Sequence, residues 1–386
     1  MILGIDASNI RFGGGVTHLL ELLRAVEPHA HGFSQVIVWG GESTLMQVEG
    51  RPWLVKSHLP LLDKNLWYRA FWQRFRLSAL ARSAGCDVLF VPGGAYAGAF
   101  HPVVTMSRNL LPFEWPELRR FGWSRMTLKF LLLRVIQTRT FRRADGLIFL
   151  TRYARDTVMG VIRSAAGRST IVPHGIDERF KHPPREQLPI GSFCADRPFR
   201  ILYVSIVHMY KHQWHVAQAV ADLRAAGLPV VLDLVGPAYA PALRRLQSTL
   251  TRLDPAGEFI HYSGPVPRAL LHERYLQSQI CVFASSCENM PNILLEGMAS
   301  GLPIACSNRG PMPEVLGEAG VYFDPEDPVA IATVLRDLIA SPALRMKLAR
   351  ASFEGVRVYS WRRCAEETFG FLSEIATECA RRQVTA

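Results

Sequence analysis

Residues 280–300 read ICVFASSCENMPNILLEGMAS. The opening ICVFA, Ile280–Ala284, is an uninterrupted apolar run of the length of one buried strand. A polar loop follows, Ser285-Ser286-Cys287-Glu288-Asn289. Pro291 suits the first turn of a helix, where its missing N–H costs nothing. The spacing predicts a helix over 292–300, with Ile293, Leu294, Leu295 and Met298 facing the core. A buried strand running straight into a helix is half of a βαβ unit, so this stretch predicts a parallel sheet covered by helices.

The same alternation extends in both directions. In the second half, Arg200–Ser205, Val230–Val235, Phe259–Tyr262, Pro303–Cys306 and Val321–Phe323 read as strands, and Gln213–Ala226 and Leu270–Gln277 as helices. In the first half the strands are Met1–Asp6, Gln35–Val38, Asp87–Val91, Val103–Met106, Gly146–Leu150 and Ser169–Pro173. A glycine loop, Gly13-Gly14-Gly15, precedes a helix over Val16–Val26. Two such series predict an α/β protein with two doubly wound, Rossmann-like domains, residues 1–180 and 181–365, followed by a last helical segment, 366–386. The proline-rich run KHPPREQLP at 181–189 suits a seam. Ligands of such sheets bind beyond the carboxyl ends of the strands, so a cleft between two domains is the natural site.

The chain has 386 residues, 49% hydrophobic and 20% charged, with a net charge of +11. That composition buries a sizeable core and excludes disorder. Residues 1–180 hold 23 basic and 13 acidic groups, so the excess charge lies in the first half and an anionic partner should meet that half. Within it, Lys64–Arg143 has 14 basic and three acidic residues, interleaved with Trp67, Tyr68, Phe71, Trp72, Phe75, Trp115 and Trp123. Two readings stand: solvated basic faces over buried aromatics, or a face resting on anionic lipid. Nucleic acid is not expected, because no recognised module is present. Seven scattered cysteines without CxxC spacing suit reduced thiols and a cytoplasmic chain, with the lipid reading placing it at the inner face of the membrane. Asp6 interrupts the apolar start, which argues against a signal peptide. Val88–Ser107 lacks charge but is broken by Pro92, Gly93, Gly94, Gly98 and Pro102, which suits two strands joined by a turn, not a membrane span.

Glu288 and Glu296 flank the start of the 292–300 helix, and Asn292 and Glu296 share one face. Free amides and the helix dipole there favour a phosphate, and carboxylates suit hydroxyl donors, so a ribose or sugar fits. On spacing alone, two ordinary surface acids remain the competing reading.

The seven-residue gap between Glu288 and Glu296, with GMASGLPIACSNRGPMPEVLGEAGVYFDPEDP after it, resembles the signature of retaining nucleotide-sugar glycosyltransferases of family four (group 1), which have the GT-B fold. IVPHGIDERF at 171–180, Leu202–Ser205 with Lys211, Leu234-Val235-Gly236, Tyr262-Ser263-Gly264 and Ser360-Trp361 resemble further stations of that family. The resemblance implies a donor site of Gly14, Gly15, Ser205, Lys211, Glu288, Asn292, Ile293 and Glu296. Glu296 would accept the ribose hydroxyls, Glu288 would hold the transferred sugar, and Lys211 would neutralise the diphosphate. The backbone around Asn292 and Ile293 would contact sugar and phosphate. The last helix would pack back toward the first domain.

Two positions depart from the family pattern. Ile206 stands where an arginine is common, so diphosphate binding would rest on Lys211, helped by His208 or a cation from the first domain. Arg108 and Asn109 replace a His-Asp pair, and are expected to contact the acceptor or the leaving phosphate; Glu288, Lys211 and Arg108 are the expected catalytic residues. No Asp-x-Asp motif is present, so no metal or other cofactor is expected beyond the nucleotide sugar. The expected activity is retaining transfer of a hexose, with GDP-mannose or a UDP-sugar as donor, to a saccharide or lipid-linked acceptor, as in lipopolysaccharide or O-antigen synthesis. An inactive peripheral membrane glycan-binding protein, or an epimerase or phosphorylase of the same fold, are the alternatives. His18, His174 and Asp6 are further candidates near the site, whereas Asp177 and Arg309 read as structural.

Overall fold

A computed structural model describes residues 1–11 and 13–384. The chain divides into two compact units: Met1–Leu118 with Trp123–Gly175 and the stretch from Tyr359 onward, and Arg119–Gly122 with Ile176–Val358.

The first unit is built on seven parallel strands: β1 (Ile2–Asp6), β2 (Gln35–Gly40), β3 (Leu54–His58), β4 (Val88–Val91), β5 (Val103–Met106), β6 (Gly146–Phe149) and β7 (Arg168–Ile171). Their order is β3-β2-β1-β4-β5-β6-β7. The reversal of direction beside β1 is the switch point where such sheets open a crevice at their carboxyl ends. Strands β4, β5 and β6 are buried along their whole length, as a sheet covered on both faces requires. β3 escaped the sequence reading because it is an edge strand with mostly exposed side chains, LVKSH, and carries no apolar run. β4 and β5 are joined by the loop 92–102, longer than the turn expected there. Within it Gly94 has φ 74°, and a Cβ there would come within 3.0 Å of the Met106 carbonyl oxygen.

The helix Trp361–Val384 belongs to this unit and begins five residues before the segment set at 366. Phe369 meets Phe33 edge-on at 5.9 Å, and Phe371 covers Gly146. Gly175, the last residue before the chain passes to the second unit, lies so close to the backbone of Trp361 that a Cβ would sit 2.1 Å from its nitrogen.

The second unit has six parallel strands: β8 (Phe199–Val204), β9 (Val230–Val235), β10 (Ile260–Tyr262), β11 (Ile280–Phe283), β12 (Ile304–Ser307) and β13 (Val321–Phe323). Their order is β10-β9-β8-β11-β12-β13, so its switch point lies between β8 and β11. The helix Asn292–Ala299 buries every residue from Leu294 onward, which fixes it against the sheet.

Three local expectations need correction. Pro291 is not in the first turn but precedes it, at φ −83° and ψ 81°, and its carbonyl accepts from the amides of Leu294 and Leu295. Ile293 is half-buried instead of facing the core, and burial in this helix begins at Leu294. Gly14 and Gly15 lie inside the helix Gly14–Ala25; only Gly13, at φ 68°, makes the entry turn.

Candidate active site

The switch point of the second unit gathers its loops from two neighbouring strands. β8 ends at Val204, and the amide of Ser205 donates to the Val235 carbonyl at 2.8 Å. Gly236 follows β9 with φ 145°, and a Cβ there would strike the Ser205 carbonyl oxygen at 2.2 Å, so the two strand ends approach only because this residue is glycine. The chain then loops to Lys211 and His212. Tyr203, buried within β8, donates from its hydroxyl to the Lys211 carbonyl at 2.6 Å. His212 sits at φ 53° and ψ 28°, a left-handed conformation uncommon for a residue with a Cβ, and starts the helix Gln213–Ala225. Its Nε2 pairs with the Ser286 hydroxyl at 2.9 Å, tying the loop after β8 to the loop after β11. A backbone bond from Ser286 N–H to the Tyr210 carbonyl at 2.9 Å reinforces the tie.

Held this way, Lys211 and Glu288 meet. The Lys211 ammonium donates to Glu288 Oε1 in a tight ion pair, and the two side chains are only 4% and 15% exposed. The ammonium also lies 5.2 Å from the Phe283 ring centre and 5.3 Å from that of Tyr210. Sequence reasoning placed these residues at one site without foreseeing that each would be the other's partner.

Glu296 lies one turn along the helix from Asn292 and is buried. Its Oε2 accepts from the Tyr275 hydroxyl at 3.2 Å, and the Arg268 guanidinium stands 4.0 Å from Oε1. Burial pushes this carboxyl up to about 7, against the opposing pull of Arg268 and the Tyr275 hydroxyl. Among the first-turn amides, Asn292 bonds back to Met290 and Leu294 and Leu295 to Pro291, so among the described residues the amide left over is that of Ile293. Arg268, Tyr275, Tyr203 and His212 were missed from the sequence. Only the seven-residue spacing of Arg268 and Tyr275, two turns of one helix, could have signalled that two of them act on one neighbour.

His208 stacks between Tyr210 and Tyr239, with ring centres at 4.7 and 4.9 Å. Burial first, and then Lys211, pull it down to about 4, so at neutral pH it adds no charge beside Lys211, contrary to one expectation. Arg120 is placed in this unit, where it forms a two-pronged pair with Glu326 at 2.8 and 2.5 Å. That pairing holds the Glu326 carboxyl down at about 2. Ser205 keeps its hydroxyl on the Ile206 carbonyl at 3.1 Å. Asp177 caps its own turn by accepting from Arg179 N–H at 3.0 Å and also lies 4.0 Å from Arg268, and Arg309 pairs with Asp324 at 2.7 Å.

The first unit has a cluster of its own at the carboxyl ends of β1 and β5. Arg108 donates through Nη2 to the Gly14 carbonyl at 2.8 Å, while its Nη1 is buried with no acceptor among the described residues. Burial lowers this guanidinium to about 10. Asn109 accepts from Leu111 N–H at 3.1 Å, a local turn. Asp6 accepts from Ser8 N–H and from Gln73, and so shapes the turn after β1. His18 is fully buried, stacks on His174 at 4.8 Å and faces the Cys364 sulfur at 3.9 Å. Burial keeps it well below its usual range, and therefore neutral.

Among the described residues, one group offers three metal-ligating atoms within 4.8 Å of one another: Glu42, His58 and Asp63. All seven cysteines are free. Among the described residues, no helix is long and apolar enough to cross a membrane.

Comparison with known proteins fits this geometry. The model described as Glycosyltransferase Family 4 matches residues 12–180, and that described as Glycosyl transferases group 1 matches 198–341. An O-antigen chain mannosyltransferase B from Escherichia coli is 31% identical over 28% of this chain and 29% of its own length. A GDP-mannose-dependent alpha-(1-6)-phosphatidylinositol monomannoside mannosyltransferase from Mycolicibacterium smegmatis is 27% identical over 62% of each chain. The matched regions thus span less than two thirds of these relatives. The crystal structure of WaaG, a glycosyltransferase involved in lipopolysaccharide biosynthesis, superimposes with a TM-score of 0.71 over 96% of this chain and 99% of that one, at 15% identity. That likeness shows the fold, which is GT-B. The chain belongs to the family four, group 1 glycosyltransferases.

Proposed function

We propose that this transferase moves a hexose from a nucleoside-diphosphate sugar to a saccharide or lipid-linked acceptor with retention of configuration, in the synthesis of a cell-surface glycan such as O-antigen. The observation that carries the proposal is the buried Lys211–Glu288 pair at the second unit's switch point, with Glu296 on the adjoining helix. In this reading the donor enters by parting that pair. Its β-phosphate takes the ammonium, a sugar hydroxyl takes Glu288, and the ribose hydroxyls take Glu296. The names of the mannosyltransferase relatives favour GDP-mannose over a UDP-sugar.

In the transfer step, the bond from C1 to the β-phosphate oxygen breaks and a bond from the acceptor oxygen to C1 forms on the same face. The acceptor's proton passes to the departing phosphate. Negative charge grows on that phosphate, where Lys211 and the Ile293 amide stabilise it. No metal is required, because fixed cationic and N–H groups supply the charge. Arg108 and Asn109, in the first unit, are the residues for the acceptor. The first unit also rests on an anionic membrane through the helices Leu66–Phe75 and Arg125–Arg143. Trp67 there is 80% exposed, and neither helix carries an acidic residue.

Proton NMR of the product formed with GDP-mannose, UDP-glucose and a simple acceptor tests the proposal. An α-configured product from an α-linked donor supports it. Hydrolysis without transfer, or a β-configured product, contradicts it.

A further inference from the structure

The helices Leu66–Phe75 and Arg125–Arg143 carry Arg69, Arg74, Arg125, Lys129, Arg134, Arg139, Arg142 and Arg143, and no acid among them. A concave cleft of about 480 Å³ lies at these helices, lined by Arg74 from the first and Ile136, Arg139, Thr140 and Arg143 from the second, with Tyr96 from the loop between β4 and β5. It also touches Val103 and Ala144, at the amino-terminal ends of β5 and β6, and so lies at the opposite end of the sheet from Gly14 and Arg108. It is therefore distinct from the residues assigned to transfer.

Three guanidinium groups line this cleft, and among the described residues none of Arg74, Arg139 or Arg143 has a carboxylate within ion-pair distance. The nearby Asp145 is committed to His101 at 2.7 Å. Like charges left together in this way favour an anion that accepts several N–H donors at once, and phosphate matches the planar fork of arginine. Ile136 in the lining is 38% exposed, and Leu132, one turn before it on the same helix, and Phe75, next to Arg74, are 56% and 61% exposed. A free phosphate would leave that apolar surface in water, whereas a phosphate bearing acyl chains would cover it. A second copy of this chain would bring the same positive charge to the face and be repelled.

We propose that this cleft is a headgroup site for an anionic phospholipid, with the phosphodiester on Arg74, Arg139 and Arg143 and the acyl chains against Phe75, Leu132 and Ile136. The proposal rests on the membrane contact described above and not on the transfer chemistry.

The test is vesicle co-sedimentation of the full chain at fixed ionic strength. The vesicles are phosphatidylcholine alone, phosphatidylcholine with phosphatidylglycerol, and phosphatidylcholine with oleate at equal surface charge. Arg139→Ala/Arg143→Ala is compared with Arg82→Ala/Arg163→Ala, which removes the same charge from exposed positions outside the cleft, after circular dichroism has confirmed equal folding. The wild type is expected to partition about tenfold better onto phosphatidylglycerol than onto oleate vesicles. The cleft variant should fall to the oleate level and the control should stay within about twofold of wild type. Equal loss in both variants, or equal binding to both anionic vesicles, overturns the headgroup site. Displacement by millimolar inorganic phosphate as complete as by short-chain phosphatidylglycerol overturns the lipid as its source. Absence of binding to every vesicle overturns this site and the membrane contact together, while leaving the transferase reading standing.

Discussion

Lys211 and Glu288, 77 residues apart in sequence, neutralise each other at the carboxyl ends of the adjacent strands β8 and β11. Lys211 is buried and Glu288 half-buried, so Lys211 without Glu288, or Glu288 without Lys211, leaves a charge poorly compensated. Lys211→Met should therefore cost about 3 kcal/mol of stability. Adding Glu288→Gln to it should restore more than half of that loss. Urea denaturation of the two single variants and the double variant measures this. A double variant no more stable than Lys211→Met would show that the pair is not a coupled unit.

Glu296 gives a pH signature. Its carboxyl titrates at about 7 in the fold against 4.5 ordinarily. Between those values the unfolded chain ionises while the folded one holds its proton, so stability falls as pH rises through this window and levels off above it. The full effect is roughly 3 kcal/mol. Glu296→Gln should lack this slope, so its Tm relative to wild type should climb from pH 4.5 to pH 8. A constant difference across that range would contradict a raised carboxyl.

The same group should govern nucleotide binding. Only the carboxylate can accept from both ribose hydroxyls, so nucleoside diphosphate affinity should tighten by about tenfold between pH 6 and pH 8. Isothermal titration calorimetry should find the trend in wild type and not in Glu296→Gln. A pH-independent affinity in wild type would remove Glu296 from the ribose.

Arg108 keeps one buried nitrogen of its guanidinium without an acceptor among the described residues. A substrate oxygen would satisfy it, so Arg108→Ala should cut turnover by more than about tenfold. Because Arg108 also bonds to Gly14, the Tm of the variant needs to be measured beside its rate. Unchanged turnover would leave this arginine as a brace for the glycine turn.

Metal chelation should leave turnover intact, since the positive charge facing the leaving group is proposed to come from Lys211 and a helix amide. Activity lost with EDTA and recovered with Mg²⁺ or Mn²⁺ would contradict this.

The double α/β organisation was legible because buried parallel strands read as apolar runs, and the central strands of both sheets are of this kind. β3 was not, because an edge strand with exposed side chains has no such run. Glu288 and Glu296 could be singled out because their spacing is local in the chain, and Lys211 because its segment resembles a station of the family. Their environments could not: the partnership of Lys211 with Glu288, and of Glu296 with Tyr275 and Arg268, arises where separate loops and helices converge. His212 shows the same limit, since its left-handed backbone accompanies a bond to Ser286, 74 residues away. The neutral state of His208 likewise follows from burial among rings contributed by Tyr210 and Tyr239.

The most direct measurement is the affinity of GDP and UDP for wild type, Lys211→Met, Glu296→Gln and Glu288→Gln, read by calorimetry beside the transfer rate of each. At least one nucleotide should bind the wild type. Lys211→Met and Glu296→Gln should each bind it about tenfold more weakly, whereas Glu288→Gln should keep the nucleotide and lose transfer. Wild-type affinity and transfer in all three variants would contradict a donor site built on these residues.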